Sequence, residues 1–371
     1  MEPKQPTRLY SLDALRGLDM LFIMGAGAFF TTLATAFPTP VTEFLAEQQH
    51  HVDWHGFRFE DMIFPLFLFI AGVSFPYSIA NKKEKGQGIG VINKEILRRG
   101  LTLVLFGILY NNGFNFDFPE MRYASVLGRI GLAWMFAAYI YVGFKQSVRL
   151  IWIAALLIGY WLIMSFIPAP DAPFGAGIFS PEGNFAGWID RLFLYGKWAG
   201  ETQDPEGFFS TIPAIGTALM GMQAGRFIRW EKEGLTPTKK VLYMLIAGLI
   251  LMIIGQLWDL IFPINKKLWT SSFVCYVGGI STLLLALFYF IIDVKGYRSW
   301  AFFFKVIGVN SITIYMAQKV IGFHRAAEFF GKGTVGLFSE EWGAVIGSIF
   351  YIGVCWTFLY FLYKQKIFLK V

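Results

Sequence analysis

Long apolar blocks alternate with short polar segments along the whole chain. Each block approaches the roughly 20 residues that an α-helix needs to cross a bilayer. The pattern therefore predicts an all-α, polytopic membrane protein with about ten transmembrane helices. The predicted spans are Leu15–Ala36, Asp61–Ala80, Ile96–Tyr110, Ala124–Phe144, Leu150–Ile167, Phe208–Ile228, Val241–Phe262, Leu268–Ile292, Phe303–Phe323 and Trp342–Tyr363.

The amino-acid composition supports this class of protein. Hydrophobic residues make up 56% of the 371 residues and charged residues only 15%, whereas soluble domains carry about 25% charged residues. Cys275 and Cys355 both fall within predicted spans, where we expect buried apolar side chains rather than a disulfide or a metal site. No repeat or low-complexity linker divides the sequence, so we expect one transmembrane domain over residues 1–371.

The distribution of Lys and Arg predicts the orientation, since the cytoplasmic loops of membrane proteins are rich in both. Basic loops alternate with acidic or mixed ones, and only Lys266 and Lys267 break the alternation. Both termini are therefore predicted to be cytoplasmic, and the net charge of +7 indicates orientation rather than a nucleic-acid surface. The predicted cytoplasmic residues include Lys4, Arg8, Arg16, Lys82, Lys83, Lys85, Lys94, Arg98, Arg99, Lys364, Lys366 and Lys370.

The segment Gln48–Pro65 carries three of the four histidines and leads into an apolar block. His51 and His55 are four residues apart, so a helix would place both imidazoles on one face, where they could bind a metal ion. No cysteine is near and no HExxH pattern is present, so we expect no metal. A surface helix with incidental histidines stays open. Acid–base chemistry is favoured, because His carries protons near neutral pH.

Ionisable side chains within or at the edge of a span are costly and point to function. Asp13 and Arg16 are three residues apart and can pair on a helix whose predicted N-cap is Ser11. This group is either a capped helix start with a snorkelling arginine or a cytoplasmic contact for an anion or cofactor. Arg129, within the fourth span, needs a carboxylate or a phosphate; the structural alternative is a pair with Asp13 or Asp19.

Two later groups of polar side chains also lie at or within predicted spans. Small residues of the sixth span, including Gly221 and Gly225, predict close helix packing. In the ninth span, Asn310, Ser311 and Tyr315 are predicted to share one helical face, with interhelical hydrogen bonds as the structural alternative. The two groups are Asp204, Glu206, Ser210 and Thr211, and then Asn265, Lys266, Trp269, Ser271, Ser272, Asn310, Ser311 and Tyr315.

Six motifs occur in order between Ser11 and about Val320. They read SLDALRG; H-x-x-W-x-G followed by DMIFPLFLFIAGVS; R-x-x-x-V-L-x-R-I-G; DPEG…ST…GMQAG; NKKLWTSSF; and GVNSITIYM. Together they resemble the heparan-α-glucosaminide N-acetyltransferase family of transmembrane acyltransferases and its bacterial homologues.

The resemblance implies an enzyme that takes an acetyl group from cytosolic acetyl-CoA. The acceptor would be an amino sugar or glycan on the periplasmic side of a bacterial inner membrane. The family's catalytic histidine, three residues before the motif tryptophan, is His51 here, as general base or acyl carrier. Asp61 or Asp53 would orient its imidazole. The expected donor contacts are Arg16, Arg129, Asp13, Ser210, Asn310, Ser311 and Tyr315; the expected acceptor contacts are Trp54, His55, Asp204, Glu206, Asn265 and Trp269.

The sequence departs from the family pattern at three places. Gly27 stands where an asparagine is usual, Gly128 replaces a glutamine, and residues 317–319 read AQK instead of GHE. These differences concern the acceptor more than the donor, so heparan sulfate is not assumed. The alternative function is a transporter or flippase for a sugar or lipid conjugate, which would show inverted repeats and broken helices. No dimer face is marked, so a homodimer stays open.

Overall fold

The structure, a computed structural model, describes residues 9–369, so Lys4, Arg8 and Lys370 lie outside the described residues. The described chain is helical, apart from turns, loops and one isolated β-bridge between Arg122 and Gly196. The α-helices are α1 (Tyr10–Leu21), α2 (Gly27–Ala36), α3 (Pro40–Glu47), α4 (Glu60–Glu84), α5 (Ile89–Asn112), α6 (Val126–Gly143), α7 (Gln146–Phe166), α8 (Phe185–Phe193), α9 (Thr211–Arg229), α10 (Pro237–Asp259), α11 (Ser271–Phe288), α12 (Ala301–Val309), α13 (Ser311–Val320), α14 (Phe323–Val335) and α15 (Glu340–Lys364). Two π-helical segments (Phe22–Ala26 and Tyr289–Val294) and a 3-10 turn (Phe118–Glu120) complete the helical structure of these residues.

Seven helical segments within residues 9–369 are long and apolar enough to cross a membrane, and the bent pair α12–α13 raises the number to eight. The seven are α1–α2 taken together, α4, α6, α7, α10, α11 with its π-helical extension, and α15. Helices α5 and α9, at the third and sixth predicted spans, contain 24 and 19 residues but do not reach the same apolar composition. The prediction of an all-α polytopic membrane protein is confirmed. The number ten and the cytoplasmic location of both termini stay predictions.

The ninth predicted span is not one straight helix. It bends by 67° at Asn310, between α12 and α13. The Asn310 amide donates to the Ile367 carbonyl at 3.1 Å and accepts from the Thr313 hydroxyl at 3.4 Å, so its side chain competes with regular helical bonding. The expectation that Asn310, Ser311 and Tyr315 share one helical face was wrong for Asn310, which lies at the bend, whereas Ser311 and Tyr315 are four residues apart on α13 and share a face. The sequence reading also missed α14, which follows the broken span.

Glycines bring the central helices into backbone contact. A Cβ atom on Gly221 of α9 would lie 2.1 Å from the Phe69 carbonyl oxygen of α4, and one on Gly225 would lie 2.3 Å from the Val73 oxygen. Gly308 of α12 packs as closely on Asp13 of α1. Because glycine has no side chain, the helix backbones can approach this closely, and the close approach supplies the dispersion contacts that hold membrane helices together. The predicted packing role of Gly221 and Gly225 is confirmed.

Of three further local expectations, the short helix and the buried cysteines agree with the structure, and the N-cap of α1 does not. The short amphipathic helix expected around Trp188–Tyr195 is α8, which begins at Phe185 after the Asn184 cap. Cys275 and Cys355 are buried and unpaired, as predicted. Ser11 is not an N-cap: α1 begins at Tyr10, and the Ser11 amide donates to Asp293 at 3.1 Å.

We expect Gly221→Ala to destabilise the protein, because its methyl group would push α9 away from α4. Overpacking of this kind costs about 1–3 kcal/mol. Gly159→Ala is the matched control, since a Cβ there meets no atom within 4 Å. Thermal unfolding in detergent should show a lower midpoint for Gly221→Ala only. Equal midpoints would contradict the close contact.

Candidate active site

The histidine-rich segment links α3 to α4 and contains no helix between residues 48 and 59. The idea that His51 and His55 share a helical face therefore does not hold. Instead, the His51 Nδ1 atom lies 2.9 Å from Oδ1 of Asp61, in the first turn of α4. Within residues 9–369, no group of three His, Cys, Asp or Glu side chains is placed to hold a metal ion.

Asp61 fixes the orientation of the histidine. Its side chain is 1% exposed, and its Oδ2 atom accepts the Arg58 amide hydrogen at 3.1 Å. A carboxylate at Nδ1 selects the tautomer with hydrogen on that nitrogen, which leaves the lone pair on Nε2, the nitrogen that can then act as a base. Asp53 is exposed, and its backbone carbonyl accepts from Lys267 at 2.7 Å. Of the two predicted orienting acids, Asp61 is the one in contact with His51.

A lysine that the sequence reading did not place in the site completes the cluster. The Lys266 Nζ atom lies 3.1 Å from both ring nitrogens of His51 and 3.7 Å from Oδ1 of Asp61. Burial lowers the pKa of Lys266, while the carboxylates of Asp61, Glu206 and Glu60 act in the opposite direction. One signal was available in the sequence: Lys266 and Lys267 are the basic pair that breaks the charge alternation.

A tight turn between α10 and α11 holds Lys266 in position. The Asn265 side chain accepts the Leu268 amide hydrogen at 2.8 Å, and the Lys266 carbonyl accepts from Trp269 at 3.1 Å. Trp269 has a φ of +52°, a left-handed conformation that non-glycine residues rarely adopt. The Gly56 amide donates to Ile264 at 2.9 Å, which ties this turn to the histidine segment.

The cluster opens into a space that we call the histidine cavity. Three acids and bases reach it besides His51: Glu60 from α4, Glu206 from the segment before α9, and Lys266. Apolar side chains of α1, α4 and α6 form much of the remaining wall. A neighbouring pocket, the tryptophan pocket, shares His51, Lys266 and Glu206 and adds Trp54 and Trp269. A substrate in either space would therefore meet the same His–Asp–Lys cluster.

A second space, the arginine cavity, lies at the other ends of α1 and α4. Arg16 donates to the Ser74 hydroxyl at 2.9 Å and to Asp13 at 3.4 Å, so the predicted Asp13–Arg16 pair is confirmed. Arg99 of α5, Asn310 and Ser311 line the same cavity. Phe67, Ser311 and Ile312 line both the arginine and the histidine cavities. The two cavities therefore share these three lining residues.

Arg129 lies in α6, at the fourth predicted span, but its partners differ from those predicted. Its Nη2 atom donates to the Gly207 carbonyl at 3.2 Å and to the Ser210 hydroxyl, and its guanidinium lies 5.0 Å from the Trp269 ring centroid. The proposed pair with Asp13 or Asp19 was therefore wrong. Neither Arg129 nor Ser210 lines the arginine cavity, so their assignment to the donor rests on the family resemblance alone.

Arg122 holds the segment that carries Glu206. Its Nε and Nη2 atoms each donate to Asp204 at 2.7 Å, and Nη2 also contacts Glu206. Burial acts against the charged form, but Asp204 and Glu206 raise the pKa of Arg122 above its usual range. Asp204 is thus used in an ion pair, whereas Glu206 also reaches the histidine cavity.

The remaining predicted site residues lie around the cluster. The Trp54 indole donates to the Phe179 carbonyl at 2.7 Å, and the His55 ring lies 3.4 Å from the Asn265 amide nitrogen. Burial lowers the pKa of His55. Tyr315 lines the histidine cavity rather than the arginine cavity, with its ring stacked on Tyr110 at 4.4 Å between centroids.

The fold is that of a polytopic helical membrane protein. Its site is a histidine paired with a buried aspartate, at the edge of two pockets that are also lined by Glu206 and Lys266. The model of the heparan-alpha-glucosaminide N-acetyltransferase catalytic domain matches residues 8–262, and the chain belongs to this family. The human heparan-alpha-glucosaminide N-acetyltransferase is 25% identical over 425 residues, covering 99% of this chain and 60% of the relative. The mouse protein of the same name is 27% identical over 376 residues, covering 86% of this chain and 56% of the relative. The chain therefore spans about 60% of the length of the human relative.

We expect Asp204→Asn to destabilise the protein, because it removes the bidentate partner of the Arg122 guanidinium and leaves that group only its contact with Glu206. Losing hydrogen bonds to a charged group costs about 1.5–3 kcal/mol. Asp171→Asn is the matched control, since it breaks a bidentate but exposed pair with Arg191, worth less than about 1 kcal/mol. The midpoint of thermal unfolding should fall much further for Asp204→Asn; equal falls would mean that the Arg122 pair does not hold this segment.

Proposed function

We propose that this protein is a membrane acetyltransferase that uses acetyl-CoA as donor and an amino sugar or glycan as acceptor. One observation carries the proposal: the cavity lined by Arg16 and Arg99 and the cavity lined by His51 share the residues Phe67, Ser311 and Ile312. We propose that the two cavities form one passage, with an anionic donor bound at the arginine end and the histidine at the other. Membership of the family supports the same reaction class.

The donor would bind in the arginine cavity. The phosphates of CoA are anionic, and guanidinium groups bind phosphate through charge-assisted hydrogen bonds. Arg99 fits this role because its Nε atom is buried and has no hydrogen-bond partner, while its guanidinium lies 4.4 Å from the Trp134 ring centroid. Arg16, Asp13, Asn310 and Ser311 complete the wall. The Lys and Arg distribution supports a cytoplasmic location for the arginine cavity, on the side from which cytosolic acetyl-CoA would enter.

The acetyl group would react at His51. The Nε2 lone pair accepts a proton from the acceptor as its nitrogen or oxygen attacks the thioester carbonyl carbon. The new bond to carbon forms, the carbon–sulfur bond breaks, and the CoA thiolate takes the proton back from the imidazolium. His51 could instead attack first and carry the acetyl group itself. Both routes need the hydrogen bond from Nδ1 to Asp61 to orient the ring.

The acceptor would enter the histidine cavity from the opposite, periplasmic side of a bacterial inner membrane. Glu60 and Glu206 reach this cavity, and their carboxylates would attract an amine before it loses its proton. Trp54 and Trp269 border the adjoining tryptophan pocket, which gives room for the rest of an acceptor. The carboxylates favour an amino sugar over a neutral glycan.

A transporter is the second candidate function. The break of the α12–α13 span at Asn310 is one feature expected of a transporter, in which interrupted helices surround a central site. A transporter would move a sugar or lipid conjugate across the membrane without consuming acetyl-CoA. Transport assays on purified protein in vesicles, with and without acetyl-CoA, separate the two functions.

We expect His51→Ala to lower the rate of acetyl transfer from acetyl-CoA to glucosamine by about 100- to 10,000-fold, the range typical of a lost acid–base group. His50→Ala is the matched control, since His50 is the adjacent exposed histidine and should retain the wild-type rate. The purified variants would be compared by release of free CoA thiol. Full activity in His51→Ala would contradict the assignment of this histidine.

We expect Arg16→Gln and Arg99→Gln each to raise the KM for acetyl-CoA about tenfold or more, because each removes a charged hydrogen-bond donor. With acetyl-pantetheine, which lacks the nucleotide and its phosphates, the same variants should behave like the wild type. Lys232→Gln, at an exposed lysine of the α9–α10 loop, controls for the loss of one positive charge. If Arg129→Gln showed the nucleotide-dependent effect and Arg99→Gln did not, the arginine cavity would not be the donor site.

A further inference from the structure

We infer that Lys266 is a further catalytic residue, whose ammonium group stabilises the oxyanion that forms on the thioester carbonyl beside His51. This inference rests on the proposed function and adds a residue that neither the motif resemblance nor the family assignment placed in the site. It holds whether the acceptor or His51 itself attacks the carbonyl, because both routes develop negative charge on the same oxygen.

The position of the Nζ atom supports this role. It is equally distant, at 3.1 Å, from Nδ1 and Nε2 of His51, so it lies beside the ring rather than in line with one lone pair. In both routes the reacting carbonyl carbon lies near Nε2, which either attacks it or takes the proton of the acceptor that attacks it, and Lys266 lines the same cavity. The carbonyl oxygen would therefore come within reach of a cation that is already in place.

The donors of Lys266 are not used up by the protein. The Nζ atom carries three N–H groups, and its contacts within residues 9–369 are the two ring nitrogens of His51 at 3.1 Å and Oδ1 of Asp61 at 3.7 Å. Both oxygens of Asp61 have closer partners, His51 at 2.9 Å and the Arg58 amide at 3.1 Å. A lysine kept only to neutralise Asp61 would be expected to sit closer to it. A free donor beside a base is what oxyanion stabilisation requires.

The charges around Lys266 favour its cationic form, against the effect of burial. Three elements place titratable groups near it: the histidine segment supplies His51, α4 supplies Asp61 and Glu60, and the segment before α9 supplies Glu206. The three carboxylates favour the ammonium form, and burial opposes it, with the net result that the pKa of Lys266 is lowered. The ammonium form that this role requires is therefore lost as pH rises through the lowered pKa of Lys266.

The transfer balances with Lys266 in this role. As the acceptor nitrogen bonds to the carbonyl carbon, the π electrons of the carbonyl move to oxygen, and a Lys266 N–H group donates to that oxygen. His51 holds the proton taken from the acceptor. When the electron pair returns, the carbon–sulfur bond breaks and the thiolate takes the proton from His51. Lys266 keeps its proton throughout, so no further reactant is needed.

The first test compares Lys266→Met with Lys266→Arg. Methionine keeps the length of the side chain without its charge, so kcat should fall about 100-fold or more, the effect of losing one oxyanion donor. The KM for acetyl-CoA should change less than about threefold, because this interaction forms only in the transition state. Lys266→Arg should recover much of the lost rate. Lys239→Met, at an exposed lysine of α10, is the control for charge and expression.

The second test is the pH profile of kcat in the wild type and in Lys266→Arg. Activity of the wild type should fall as pH rises through the lowered pKa of Lys266, because the neutral amine cannot stabilise an anion. A guanidinium does not titrate in this range, so the alkaline fall should move upward or vanish in Lys266→Arg. A lysine with a purely structural role would leave this part of the profile unchanged.

The outcomes separate this inference from the proposed function. If the wild type does not transfer acetyl from acetyl-CoA, the proposed function fails and this inference fails with it. If the wild type is active and Lys266→Met stays within threefold of its kcat, only the role of Lys266 is overturned. If Lys266→Met does not fold, as judged by size-exclusion chromatography, the pH profile of Lys266→Arg decides: an unmoved alkaline fall overturns the inference, and a shifted one supports it.

Discussion

A carboxylate buried at the start of a membrane helix is costly unless its oxygens are paired, and Asp61 is such a carboxylate. One oxygen contacts His51 and the other accepts the Arg58 amide hydrogen. Satisfying Asp61 therefore folds the segment before α4 back onto the helix and fixes the imidazole at the same time. Lys266 then adds the opposite charge from a distant part of the chain. The same contacts therefore satisfy the buried Asp61 carboxylate and orient His51 for the proton transfer that we propose.

The shape of the two cavities depends on how the helices pack. Gly221 and Gly225 draw α9 onto α4, and Gly308 draws α12 onto α1. The α12–α13 span bends at Asn310, and Ser311 and Ile312, directly after the bend, line both cavities. Close packing and one local break thus shape the space that we propose for the donor and the acceptor.

The sequence predicted some parts of the site better than others. The pair of Asp13 and Arg16 followed from their spacing, because residues three apart on a helix are neighbours. The partners of Arg129 could not be predicted from spacing, because Gly207 and Ser210 lie about 80 residues further along the chain. Ser210 was expected to contact the donor instead. His51 was singled out by a motif. Lys266 stood out in the sequence as an exception to the charge pattern and as one of the polar residues near a span, but nothing there placed it beside His51.

The apolar periodicity, taken by itself, determined that the chain is a helical membrane protein, because a bilayer demands long apolar segments with satisfied backbones. It also determined where close packing occurs, since only small residues permit it. Tertiary structure alone decided which acid meets His51, where the ninth span breaks, and that Lys266 joins the cluster. Those outcomes depend on contacts between residues far apart in the chain, such as His51 with Lys266, and hydrophobic pattern carries no information about such contacts. The partner of a buried polar side chain is the group that helix packing brings next to it, and helix packing is a property of the tertiary structure.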